Sequence, residues 1–61
     1  MNSIIVPFEL DNERIDKCIP LLIKDVSRSF GLELIKGGLI LVDNNQVKPS
    51  FKVSEGDVIS Y

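Results

Sequence analysis

Carboxylates, ammonium groups and guanidinium groups make up nearly all the reactive chemistry of this chain. Its 61 residues include nine acidic and seven basic side chains, one cysteine (Cys18) and no histidine. Histidine is the usual proton shuttle near neutral pH, so its absence removes the commonest general base. One cysteine without histidine cannot supply a zinc set, and the carboxylates lack calcium-loop spacing. No glycine-rich phosphate loop is present. A chain this short also has little room for a deep pocket, which usually needs about 300 Å³ or more. No active site, metal or cofactor is expected. What remains is the attraction of cations for anions. Ser27-Arg28-Ser29 suits it best, because the free N–H groups that open a helix, with an arginine beside them, form a natural phosphate site. Lys36, Lys48 and Lys52 can extend that site.

The net charge of −2 argues against a nucleic-acid binder that is positive all over. The distribution is more telling than the sum. Glu9, Asp11, Glu13 and Asp16 cluster early, whereas five of the seven basic residues (Lys24, Arg28, Lys36, Lys48 and Lys52) lie beyond Ile23. A basic face on an acidic domain is compatible with that pattern. Each cation also has a plainer role open to it: Arg14 as the partner of Asp11 or another acidic neighbour, Lys17 and Lys24 as solvated charges, Lys36 as a complement to the negative end of a helix. Asp16, Asp25, Asp43 and Asp57 are spaced as caps and turn residues and read as structural.

The elements that position these groups follow from periodicity and punctuation. Ser3 to Leu10 is β-branched and contains Pro7, the pattern of a short edge strand. Asp11 and Asn12 offer N-caps for a helix from about Glu13, with Ile15, Cys18, Ile19 and Leu22 as its apolar stripe and Pro20 forcing a kink or an early end. Asp25-Val26-Ser27 reads as a turn into a second helix capped by Ser27, with Phe30, Leu34 and Ile35 buried. Gly37-Gly38 stops that helix, and Gly31 inside it implies close approach to the first helix. From Leu39 the period changes to two, with Ile40 and Val42 on one face and Leu39 and Leu41 on the other. Turns at Asp43-Asn44, Lys48-Pro49-Ser50 and Glu55-Gly56-Asp57 then lead to a last short strand. The fold class is α+β, two short helices capped by a small sheet. Residues 1–61 form a single domain with a thin core, since a chain of this size buries only about 60% of its unfolded surface. The lone thiol and the lack of a signal peptide or a membrane-length apolar run fit a soluble protein in a reducing, cytoplasmic setting.

Taken in order, Arg14-Ile15-Asp16-Lys17, Ser27-Arg28-Ser29, Leu34-Ile35-Lys36-Gly37-Gly38, Val42-Asp43-Asn44, Val47-Lys48-Pro49-Ser50 and Gly56-Asp57-Val58-Ile59 form a specific set. Together they resemble the S-four domain, the small RNA-binding module also called the alpha-L motif, over residues 13 to 60. The variant most similar is the N-terminal domain of the ribosomal large-subunit RNA pseudouridine synthases. These often show a leading strand, Arg-hydrophobic-Asp, and Val-Lys-Pro-Ser-aromatic-Lys before Gly-Asp, as at Ile4–Leu10, Arg14–Asp16 and Val47–Lys52 here.

The resemblance implies two packed helices and a mainly antiparallel sheet whose basic edge holds structured ribosomal RNA for a C-terminal catalytic domain outside this chain. The candidate RNA contacts are Arg14, Lys17, Ser27, Arg28, Ser29, Lys36, Lys48 and Lys52. Arg14-Ile15-Asp16 also resembles the catalytic Arg-Leu-Asp of pseudouridine synthases, but Glu13 precedes it and it opens a helix, so Asp16 reads as structural. Leu39 and Leu41 stand where such domains often carry basic or polar residues. The competing reading is therefore a protein-docking module whose Leu39/Leu41 surface meets a catalytic domain or, in weak self-association, a second copy. An S-four domain serving a different RNA-modifying enzyme is the third reading.

Overall fold

The computed structural model describes residues 2–61. Strand β1 (Ser3–Ile5) is followed by a 3-10 turn at Phe8–Leu10, helix α1 (Ile15–Leu22), helix α2 (Arg28–Lys36), the hairpin β2 (Leu41–Val42) and β3 (Asn45–Gln46), and β4 (Val58–Ser60). The sheet is antiparallel in the order β1-β4-β2-β3. The expected α+β class, with two helices and a small antiparallel sheet, is what forms. β1 is an edge strand, but it is shorter than Ser3 to Leu10. Pro7 has no N–H to offer a ladder, and the chain turns immediately after it. Among the described residues no helix is long and apolar enough to cross a membrane.

The first helix begins later than Asp11 and Asn12 suggest. Arg14 is its N-cap residue and makes no side-chain cap bond, so neither of the two earlier residues caps it. The opening amides are served from elsewhere in the chain: Ile15 N–H donates to Phe51 O at 2.7 Å and Asp16 N–H to Pro49 O at 3.3 Å. The side chain of Asp11 instead accepts from Glu55 N–H at 2.7 Å, which fastens the start of the chain to the final turn. α1 passes through Pro20 and ends two residues later, at Leu22.

Ser27 caps α2 as its residue type predicts, its Oγ accepting from Phe30 N–H at 3.1 Å. The buried stripe of α2 is rotated from the expected one. Gly31 and Ile35 face inward, while Phe30 is 53% exposed. The cause is the closeness of the helices: a Cβ on Gly31 would lie 2.8 Å from Ile19 Cγ2, so Gly31 is the point of contact and Phe30 is turned outward. At the far end Gly38 takes a φ of +75°, and the amides of Gly38 and Leu39 return to the carbonyls of Ile35 and Leu34. This double bond pattern closes a helix through a left-handed glycine.

Ile15, Cys18, Ile19, Ile35, Ile40, Val42, Val53 and Ile59 form the core together with Val6 and Ile23. The alternation after Leu39 holds, with Ile40 and Val42 buried and Leu39 66% exposed. Asp43 and Asn44 both adopt positive φ, at 50° and 68°, and make the two-residue turn between β2 and β3. Asp43 Oδ1 also accepts from Val58 N–H at 3.1 Å, and Asp57 Oδ2 from Ser54 N–H at 2.9 Å, so both carboxylates are structural.

Burial, and secondarily the nearby Glu13 charge, raises the Cys18 thiol above its ordinary value of 9.0. The folded state therefore holds its proton more tightly than the unfolded state. The associated stability is complete below about pH 9 and declines as the pH rises beyond it, where the unfolded thiol ionises first. Cys18 should react with a thiol reagent at pH 8 only as fast as the domain opens. Labelling followed with and without denaturant checks this, and rapid labelling of the native domain would contradict it.

Candidate nucleic-acid interface

The segment Pro49–Val53 runs beside the entry to α1. Arg14 and Lys52 form an isolated antiparallel bridge, and Asn12 N–H donates to Val53 O while Val53 N–H donates to Glu13 O. These bonds hold Lys52 next to Arg14 and bring the backbone of Lys48, one residue before Pro49, to the same end of α1. The start of α2 reaches this place from the other side. Arg28 and Arg14 meet on one carboxylate, that of Asp16: Arg14 Nη2 lies 2.9 Å from Oδ2 and Arg28 Nη2 lies 3.5 Å from Oδ1.

The two kinds of group differ sharply in exposure. The Asp16 side chain is 6% exposed, whereas those of Arg14 and Arg28 are 51% and 60% exposed. Each guanidinium carries five N–H donors in a planar fork, so most of each fork remains open to a ligand. Two cations and one carboxylate leave this point positive within a chain whose net charge is −2. Beside it, the helix-opening amides of Arg28 and Ser29 have no acceptor among the described residues; the Ser27 cap takes only Phe30 N–H, and Ser27 O takes Gly31 N–H. Unclaimed amides at the positive end of a helix, next to an arginine, are a place for a phosphate oxygen.

Of the eight expected contact residues, Arg14 and Arg28 meet on Asp16, Lys52 is bridged to Arg14 along the backbone, and Ser27 and Ser29 flank Arg28 at the start of α2. Lys48 borders them, and Lys17 lies one turn along α1 in a 3.4 Å ion pair with Glu13. Arg14 does pair with an acidic neighbour, but the partner is Asp16 and not Asp11. Lys36 stands apart, at the opposite end of α2, about 12 Å from Arg28 along the axis at ~1.5 Å per residue. Sequence reasoning took Asp16 as structural and missed that it joins both arginines. The ordered motif set held all three residues, but only the fold shows them in contact.

The family model described as the S4 domain matches residues 13–59. The chain belongs to the S4 domain family. This is a family of RNA-binding modules, and the matched span contains every element from α1 to β4 with the arginine pair and its carboxylate. The chain is also 42% identical over 50 residues to an uncharacterized RNA pseudouridine synthase of Aquifex aeolicus (strain VF5), an alignment covering 80% of this chain and 16% of that protein. The S4 region found here thus corresponds to a small part of that relative's length. No solved structure matches the chain at a significant level.

Proposed function

We propose that this S4 domain grips structured ribosomal RNA through the Arg14, Arg28 and Lys52 cluster and the open start of α2, and presents it to a pseudouridine synthase catalytic domain that follows in the same polypeptide. The observation that carries the RNA grip is the convergence of two half-exposed arginines on one buried carboxylate beside unclaimed helix amides. The likeness to a pseudouridine synthase supports the catalytic partner. The chain's own contribution is to bind and orient; the isomerisation of uridine belongs to the attached domain.

A docking role for the outer sheet face is a second element of this reading. Leu39 is 66% exposed, and Leu41, Val58 and Ile5 follow on the same side by strand pairing, with Ile5 and Val58 opposite each other. This apolar surface is where a catalytic domain, or in its absence a second copy, would rest.

The test is an amide NMR titration of the domain with a ribosomal RNA hairpin at several salt concentrations. Shifts should cluster on Arg14, Ser27–Ser29 and Lys48–Lys52. With three to five phosphate contacts, log affinity should fall against log salt with a slope of roughly −3 to −4.5, at about 0.9 per contact. Salt-independent binding, or shifts confined to Leu39, Leu41 and Ile5, would reject the RNA grip in favour of docking alone.

A further inference from the structure

We infer that Asp16 is a positioning residue for RNA binding: its buried carboxylate holds the Arg14 and Arg28 forks side by side, so that removing this negative charge weakens the hold on RNA. The inference rests on the RNA-binding reading above and deepens it.

Asp16 is held firmly. It lies in the first turn of α1, where the helix dipole favours a carboxylate, its amide is tied to Pro49 O, and the residue is 4% exposed. Its two oxygens are used unequally. Oδ2 accepts a 2.9 Å hydrogen bond from Arg14. Oδ1 has the Arg28 guanidinium at 3.5 Å but accepts no hydrogen bond, although it is buried. Arg14 is therefore fixed, and Arg28 is drawn into place by charge while its N–H groups stay free.

As a purely stabilising device this arrangement is poor. Burying a carboxylate carries a desolvation cost that half-exposed partners recover only in part, and an apolar residue of similar size avoids it. Aligning two cations that would otherwise repel each other is what the carboxylate does and an apolar residue cannot. A guanidinium held in one orientation gives up less freedom when a phosphate arrives, so affinity rises through preorganisation.

The sign of the effect separates this role from simple electrostatics. A negative charge near RNA repels it, so a carboxylate with no positioning role should strengthen binding when neutralised. Asp16→Asn keeps the shape and removes the charge. With the fold confirmed by the amide spectrum, we expect hairpin affinity to fall about tenfold and the salt slope to shrink by about 0.9 for each phosphate contact released. In an Arg14→Ala/Arg28→Ala background, measured at low salt, the same change should cause no further loss. Equal or tighter binding by folded Asp16→Asn would overturn the inference, and so would an equal loss in the background that lacks the arginines. Should Asp16→Asn fail to fold, Arg14→Lys/Arg28→Lys tests the same point with Asp16 intact. Charge is kept and the forks are lost, so affinity should fall at nearly constant salt slope, and unchanged affinity would sink the idea. Failure of the unaltered domain to bind the hairpin at all would instead defeat the RNA reading itself.

Discussion

Gly31→Ala should lower the melting temperature of this domain, by up to about 15 °C, and Gly31→Val should prevent stable folding; both follow from the closeness of the two helices. On an exposed helix surface, alanine in place of glycine stabilises by about 1 kcal/mol. At Gly31 the new Cβ would meet Ile19 Cγ2 at 2.8 Å and Ile19 Cβ at 3.2 Å. Ile19 is fully buried in α1, and a β-branched side chain in a helix has essentially one rotamer, so it cannot swing aside. Overpacking of this kind costs about 1–3 kcal/mol, which after the propensity gain leaves a net loss of up to about 2 kcal/mol for alanine. Valine adds two further methyl groups in the same space. Its cost approaches the whole stability of a small domain, which at ~0.05–0.15 kcal/mol per residue is only about 3–9 kcal/mol here. Thermal melts followed by circular dichroism check both variants. A rise in melting temperature for alanine would mean that the helices separate easily and that Gly31 is not their point of contact.

The second large effect concerns RNA. The pair Arg28→Glu/Lys52→Glu should abolish hairpin binding, whereas Lys24→Glu/Lys36→Glu, which alters neither the arginine pair on Asp16 nor the Arg14–Lys52 bridge, should weaken it only a few-fold. Each pair replaces two cations by two anions and takes the net charge from −2 to −6, that is −2 − 4, so the overall field of the protein changes equally. What differs is position. Arg28 and Lys52 adjoin Arg14 and Asp16 around the opening of α2, while Lys36 is at its other end. The first pair also adds a carboxylate beside the buried one, so its fold must be verified before its binding is read. Equal losses from the two pairs would show that RNA responds to net charge alone and that the arginine cluster is not a site.

The features legible in the sequence are those decided by short-range chemistry. Gly37-Gly38 stops a helix because a left-handed residue is needed there, and Asp43-Asn44 makes a two-residue turn because those side chains tolerate positive φ. Ser27 caps because its oxygen reaches an amide three residues on. Misplaced features depended on partners distant in the chain. Asp11 looks like a helix cap but its acceptor is taken by Glu55, 44 residues away. Phe30 looks like core, yet the face that α2 buries is set by the fit of Gly31 against Ile19 and not by the largest apolar residue. The candidate site divides in the same way. Its residues can be picked from the ordered motifs, but the sharing of Asp16 by Arg14 and Arg28 appears only when the two helix openings are brought together.

The strand order also governs how the molecule can be made. β4 lies between β1 and β2, so β1 takes its ladder partner, and β2 one of its two, from residues 58–60. During synthesis the first strand must wait, unpaired, until nearly all the rest of the domain has been translated. The helical pair and the 41–46 hairpin contain local contacts and can form early, but closure of the sheet is a late, single event that depends on long-range pairing. Until then Ile4, Ile5 and Val6 are open to any other unpaired edge, which makes the arrival of the last strand the step that commits the nascent chain to this fold.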